Sequence, residues 1–301
     1  MTLPAPLFEA VPNFSEGRDA AKISRIVDAV GGVPGIRVLG VHSDPDHNRS
    51  VLTFAGEEEA VLSGAMALAR SCAVELDLTS QAGEHPRMGV LDVLPFVPLA
   101  GATMEDVAGL ARRAGEVLGS LGYVVFLYGA AASAPHRRDL PDIRRGGYEG
   151  VAERLSDPRW RPDYGPRMLD PGRGAVAVGA RPFLVAFNVF LDTDDVEVAR
   201  TIARRIRESG GGLPALKALG LLVDGRAQVS MNLTDLSLTP IHLALEAVRS
   251  AASDLGASVE STELVGLAPL PAILDAARHY LGLRELGPEH VLETNLHDLS
   301  S

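Results

Sequence analysis

The chain has 301 residues, enough for two domains of ordinary size, and its 46% hydrophobic and 22% charged composition suits a soluble globular protein with a sizeable core. A formal charge of −11 disfavours nucleic acid as a partner. The single cysteine, Cys72, excludes an intrachain disulfide. No basic segment followed by an apolar one opens the chain and no apolar run approaches ~18 residues, so cytoplasmic residence without a membrane is the expectation.

Residues 7–13 read as a strand and 14–19 as a turn, with Asp19 placed to cap a helix from Ala20. Ile23, Ile26, Val27 and Val30 repeat at helical spacing until Gly31 and Gly32. Residues 36–42 and 50–55 form a hairpin over a polar turn. Residues 57–76 form a long helix whose packing face is expected along Ala60, Val61, Gly64, Ala67, Leu68 and Ser71. Residues 90–97 are a buried strand. Thr103 caps a helix over 104–122, although Asp106 is one carbon shorter than the Glu or Gln of a full capping box. Residues 123–128 are a strand, 130–150 irregular or briefly helical, 151–158 a short helix and 159–174 a connection. A second series follows. It comprises a strand over 183–190, a helix over 196–209 and a hairpin of 218–223 with 227–233 over Asp224-Gly225-Arg226. A helix capped by Thr239, a strand over 258–267 and a last helix over 271–281 complete it. Strand–helix–strand–strand–helix–strand, twice, predicts an α+β fold of two ferredoxin-like α/β sandwich subdomains, residues 1–178 and 179–301.

The run Gly83-Glu84-His85-Pro86-Arg87-Met88-Gly89 precedes the buried strand. Pro86 fixes its own φ and pushes His85 into an extended conformation, while Gly83 and Gly89 permit tight turns. His85 is thereby held between an acid, Glu84, and a base, Arg87. Such a histidine suits proton transfer, where geometry comes before pKa; the residues alone leave open that it caps a turn.

This run resembles part of the formiminotransferase domain of the formiminotransferase-cyclodeaminase family. So do Val11-Pro12-Asn13-Phe14-Ser15-Glu16-Gly17, Asn48-Arg49-Ser50-Val51, Leu140-Pro141-Asp142-Ile143-Arg144 and Gly179-Ala180-Arg181-Pro182-Phe183-Leu184, in the family's order. The resemblance implies transfer of a formimino group between N-formimino-L-glutamate and N5 of tetrahydrofolate, in histidine degradation. A ligand cleft between the two subdomains is an expectation that only this resemblance adds. The partners are then small molecules, folate and glutamate or formiminoglutamate, with tetrahydrofolate as co-substrate and no metal. A homodimer is compatible with the family. Some relatives carry a second, cyclodeaminase domain; with the chain stopping at Ser301, a separate cyclodeaminase is the expectation.

The same resemblance makes His85 the proton donor and acceptor. It maps the family's folate-binding segment onto Gly165-Pro166-Arg167-Met168-Leu169-Asp170-Pro171-Gly172-Arg173-Gly174, keeping Gly165, Pro166 and Gly174 while the interior differs. Arg167 or Arg173 would meet the glutamate tail of the folate. Glu84 would orient His85, Arg87 would hold a carboxylate, and Asn48 and Arg49 would bind substrate. His42 stands where some members have a carboxylate.

Residues 137–181 hold ten arginines against seven acids, an excess of cation in an acidic chain that could serve an anionic small molecule or could be a solvated loop. The turn 42–47 has metal-ligand residue types, but adjacent Asp46 and His47 cannot share a strand face. Two other functions fit the same residues: another folate-dependent one-carbon transferase, for example one acting on 5-formyltetrahydrofolate, and a non-catalytic folate-binding protein.

Overall fold

The first strand is broken. β1 (Phe8–Ala10) and β2 (Asn13–Phe14) run between the same two neighbours and are parted at Val11-Pro12, since proline has no N–H to give to a ladder. The structure, a computed structural model, describes residues 5–81 and 87–297. α1 (Ala20–Gly31) begins where Asp19 accepts from the N–H groups of Ala21 and Lys22. β3 (Arg37–Asp44) and β4 (Arg49–Gly56) form the hairpin, and α2 (Glu58–Glu75) and β5 (Leu91–Pro98) follow. The buried stripe of α2 runs through Val61, Gly64, Ala65, Leu68 and Cys72, with Ala60, Ala67 and Ser71 only half-buried. The helix turns its bulkier residues inward because they remove more apolar area from water.

α3 (Met104–Ser120) carries a complete capping box. Thr103 Oγ1 accepts from Asp106 N at 3.2 Å and Asp106 Oδ2 accepts from Thr103 N at 2.8 Å, so the shorter acid does reach. After β6 (Val124–Gly129), the stretch expected to be irregular or briefly helical forms α4 (Leu140–Arg144), and the short helix expected over 151–158 is α5 (Gly147–Arg154), which starts and ends four residues earlier. β7 (Ala175–Ala180), buried at every residue, has no counterpart in the sequence reading, because small residues and Gly179 give it no strand-like bulk.

The first sheet has the order β3, β4, β1 with β2, β5, β7, β6, antiparallel up to β5 and parallel from β5 to β6. α1, α2 and α3 cover one face through Phe14, Leu52, Phe54, Leu94, Phe96 and Val178. On the second face α4 and α5 pack over the β6 side through Val93, Phe126, Ile143 and Val151. No described helix of this unit packs on β3, β4 and β2 from that second side.

Contacts divide the chain after Pro182. The second unit contains β8 (Val185–Leu191), α6 (Val196–Ile206), β9 (Leu216–Val223), β10 (Arg226–Leu233), α7 (Ile241–Asp254), β11 (Val259–Val265), α8 (Leu270–Leu281) and α9 (Leu292–His297). Its antiparallel sheet is ordered β11, β8, β10, β9, the same succession as β5, β1, β4, β3. Asp224 and Gly225, both at positive φ, make the two-residue turn between β9 and β10. Thr239 does not cap α7. It is fully buried and its hydroxyl donates to Pro214 O at 2.5 Å, leaving Pro240 at the cap position. No described helix is long and apolar enough to cross a membrane.

β9 lies so close to α6 that a Cβ on Gly220 would collide with the backbone of Ala199 and Arg200. Gly220→Ala is expected to destabilise the protein by about 3 kcal/mol, read from the urea unfolding midpoint.

Candidate active site

The uncovered side of the first sheet is polar where its strands cross. Residues paired across the ladder share a face, so His42 on β3, Val51 on β4, Asn13 on β2 and Val93 on β5 form one row. Arg49, two residues before Val51, is on the same side, and its guanidinium Nη2 donates to Asn13 Oδ1. Burial, then the neighbouring Arg144, lowers the Arg49 guanidinium to about 10, against the pull of Asp92 and Asp44. His42 itself is exposed.

The turn after β2 is tied to the start of the His85 loop. Glu16, 5% exposed, accepts from the N–H groups of Arg18 and Asp19 through Oε1 and from Gln81 Nε2, at 3.4 Å, through Oε2. Asn48, in the left-handed region at φ 48°, accepts from Gly17 N at 3.0 Å and donates to Gln81 Oε1 at 2.7 Å. Ser50 Oγ donates to Glu16 O and Ser15 Oγ to Gly89 O at 2.8 Å. Gln81 is therefore gripped by Glu16 and Asn48, and its carbonyl accepts from Arg87 Nη2. Arg87 closes the base of the loop rather than standing clear of it. His85 and Glu84 lie outside the described residues.

The other end of the loop is held by Asp92. The pairing of β2 with β5 slips between Asn13↔Val93 and Phe14↔Leu91, and Asp92 is the extra residue. Its carboxylate, 3% exposed, accepts from Met88 N at 2.8 Å and from Arg144 Nη2 at 2.6 Å. Burial pushes this carboxyl up, against the pull of Arg144, the Met88 N–H and Arg49.

The segment 165–174 is stapled at its ends. Gly165 and Gly174 have φ of 85° and 75°, and a Cβ would collide with Tyr123 O at the first and with Met88 O at the second. Between them Pro166, Arg167, Met168, Asp170 and Pro171 are exposed, Met168 at 80%, while Leu169 packs beside Val93 and Phe126. Asp170 and Gly172 shape the turn back, Asp170 O accepting from Gly174 N and Gly172 O from Leu78 N. Arg173, half-buried, donates to Leu121 O at 2.7 Å through Nη1 and lies over the Tyr123 ring.

Much of the surrounding arginine excess is structural. Arg137, 4% exposed, pairs with Asp163 at 2.8 Å and donates to Arg159 O and Arg161 O. Arg154 donates to Ile143 O and Arg145 O and lies over Trp160. In the turn 42–47, Asp44 accepts from the N–H groups of Asp46 and His47 and from the His47 ring. Among the described residues no acid, histidine and cysteine cluster fits a metal ion. A surface pocket of about 360 Å³ lies between α1 and β3 on the opposite, helical side of the sheet, and neither His42, Asn48, Arg49, Arg87 nor segment 165–174 lines it.

Sequence comparison gives this site its class. Residues 7–181 match the family model described as formiminotransferase domain, N-terminal subdomain, and 186–292 match formiminotransferase domain, so the chain belongs to the formiminotransferase family. Among its relatives is the glutamate formimidoyltransferase of Streptococcus pyogenes serotype M1, 39% identical over 97% of this chain and 99% of the relative. That of Thermoplasma acidophilum is 41% identical over 96% and 97%. The formimidoyltransferase-cyclodeaminase of Mus musculus is 42% identical over 93% of this chain, which spans 53% of that relative.

Reading motifs alone missed Asn13, Glu16, Gln81, Asp92 and Arg144 as parts of the site. Asn13, Glu16 and Arg144 stood in blocks noted for resemblance without a role; Asp92 was signalled only as an acid inside an apolar strand. Removing it takes the paired carboxylate from the half-buried Arg144 guanidinium and the acceptor from the Met88 N–H. Asp92→Ala is expected to cost about 3–5 kcal/mol in urea unfolding, whereas replacing half-buried Asp157, paired with an exposed arginine, should cost far less.

Proposed function

We propose that the protein is a glutamate formimidoyltransferase, moving the formimino group between N-formimino-L-glutamate and tetrahydrofolate. The observation that supports this most is its identity of about 40% over nearly the full length of two glutamate formimidoyltransferases. The site is consistent with it. A polar sheet face rich in guanidinium groups suits a dicarboxylate. The loop bearing His85 is anchored at Gln81 and at Met88, which suits a group that must hold a fixed geometry.

In this reading N5 of tetrahydrofolate attacks the amidine carbon of formiminoglutamate. His85 removes the proton from N5 as the new C–N bond forms and returns it to the glutamate nitrogen as the old C–N bond breaks. One imidazole near neutral pKa serves both steps. Arg49 and Arg144 raise the local positive potential felt by the substrate carboxylates. Segment 165–174 contacts the folate through its exposed middle and Arg167. A cytosolic homodimer belongs to the same reading.

The test is to mix purified protein with tetrahydrofolate and N-formimino-L-glutamate and follow 5-formiminotetrahydrofolate. Turnover is expected, and His85→Ala should lower kcat on the order of 10²-fold or more with folate affinity little changed. Turnover with 5-formyltetrahydrofolate and glutamate but not with the formimino substrate would assign a different one-carbon transferase. Folate binding without either reaction would assign a binding protein.

A further inference from the structure

Glu9 is a buried carboxylate on the second face of the first sheet. It lies between Phe8 and Ala10, which enter the helical core, so its carboxylate is directed to the opposite side. It is 4% exposed, and Oε2 is buried without a hydrogen-bond partner among the described residues. Burial pushes its carboxyl up, and Arg181 only partly offsets this, by attraction at a distance and not by hydrogen-bond contact. Buried carboxylates are normally paired, because an ionised one is strongly disfavoured away from water.

The register brings Glu9 and Arg181 to the same level. Glu9 is opposite Val97 on β5, while Phe96 is opposite Ala180 and accepts from Arg181 N at 3.1 Å. The two charged residues thus flank Val97 from the two neighbouring strands, about 10 Å apart along the backbone-to-backbone direction. Arg181 also hydrogen-bonds Tyr128, whose ring lies over Gly179 where any Cβ would strike it, and whose phenol burial pushes up to about 12. Gly179 and Arg181 belong to one motif block of the sequence, and the chemistry proposed above gives neither a role.

A carboxylate and a guanidinium held apart on one face, both buried, match a planar group that presents N–H donors at one corner and an oxygen acceptor at the next. We propose that Glu9 and Arg181 read the amino-oxo-pyrimidine edge of the tetrahydrofolate co-substrate, Glu9 accepting from the ring N–H and exocyclic amine and Arg181 donating to the ring oxygen. This rests on the formiminotransferase reading. It also sets direction along the sheet. Asn13 is roughly 13 Å further along the strand from Glu9 at the strand rise per residue. Gly174, the end of the 165–174 segment, pairs with Gly89 at that far end. The ring edge then lies at the Glu9 level and the glutamate tail at the 165–174 level.

Glu9→Gln is nearly isosteric and separates this role from a structural one. Because folding raises the Glu9 pKa, the wild-type protein loses stability as pH rises through that value. The facing groups, Arg181 and Tyr128, stay protonated throughout that range. Glu9→Gln has no proton to lose, so at pH 7.5 it is expected to melt no lower than wild type. Its Kd for 5-formyltetrahydrofolate by calorimetry is expected to rise about tenfold or more, with KM for N-formimino-L-glutamate unchanged. The wild-type protein should likewise bind the 2-desamino-2-methyl analogue of that folate about tenfold more weakly, and Glu9→Gln should discriminate far less between the two. Equal affinity of wild type for both folates, or undiminished affinity in Glu9→Gln, would overturn the subsite while leaving the transferase reading in place. A wild-type protein that binds no folate would overturn both.

Discussion

A single buried carboxylate organises the described part of the active face. Asp92 is thrust out of β5 by a one-residue slip in register, and there it meets the Met88 N–H and the Arg144 guanidinium. Three things depend on it. It fixes the chain just after the histidine loop, it draws α4 down onto the sheet, and it supplies negative charge beside Arg49 and Arg144, which otherwise repel each other. A bulge is the economical way to do this, because an in-register residue would point straight up from the ladder and could not reach both donors.

The two ends of the loop are gripped by different chemistry. At Gln81 the grip is a web of neutral amides and one carboxylate, Asn48 and Glu16, that depends on a left-handed backbone at Asn48. At Met88 it is an ion pair. Hydrogen bonds between amides are barely affected by salt or moderate acid, whereas the Asp92–Arg144 pair responds to protonation of its carboxylate.

Most of the architecture was legible in the sequence. The order of strands and helices in both halves came from apolar spacing, and Asp19 and Thr103 announced their helices. What escaped detection did so for physical reasons. β7 is built of Ala, Val and Gly and is buried on both sides, so it has neither alternation nor bulk to mark it. Arg137 and Arg154 counted in an arginine excess that could serve an anion or be a solvated loop, yet they bind backbone carbonyls, which no residue pattern encodes. Arg49 and Asn48 were singled out from the sequence; Glu16 and Gln81, which bond each other and the backbone beside them, were not. Charged residues at strand positions that should be apolar, Glu9 and Asp92, were the overlooked sign of an active face.

The glycine staples at 165 and 174 have an evolutionary consequence. Each is compelled by a backbone approach that no side chain tolerates, and both contacts are internal to the scaffold. The residues between are mostly exposed, with Leu169 and Arg173 alone reaching inward. Such a segment can exchange its middle residues without disturbing the strands on either side. Selection is then free to change the exposed middle of this segment while the scaffold beneath stays constant.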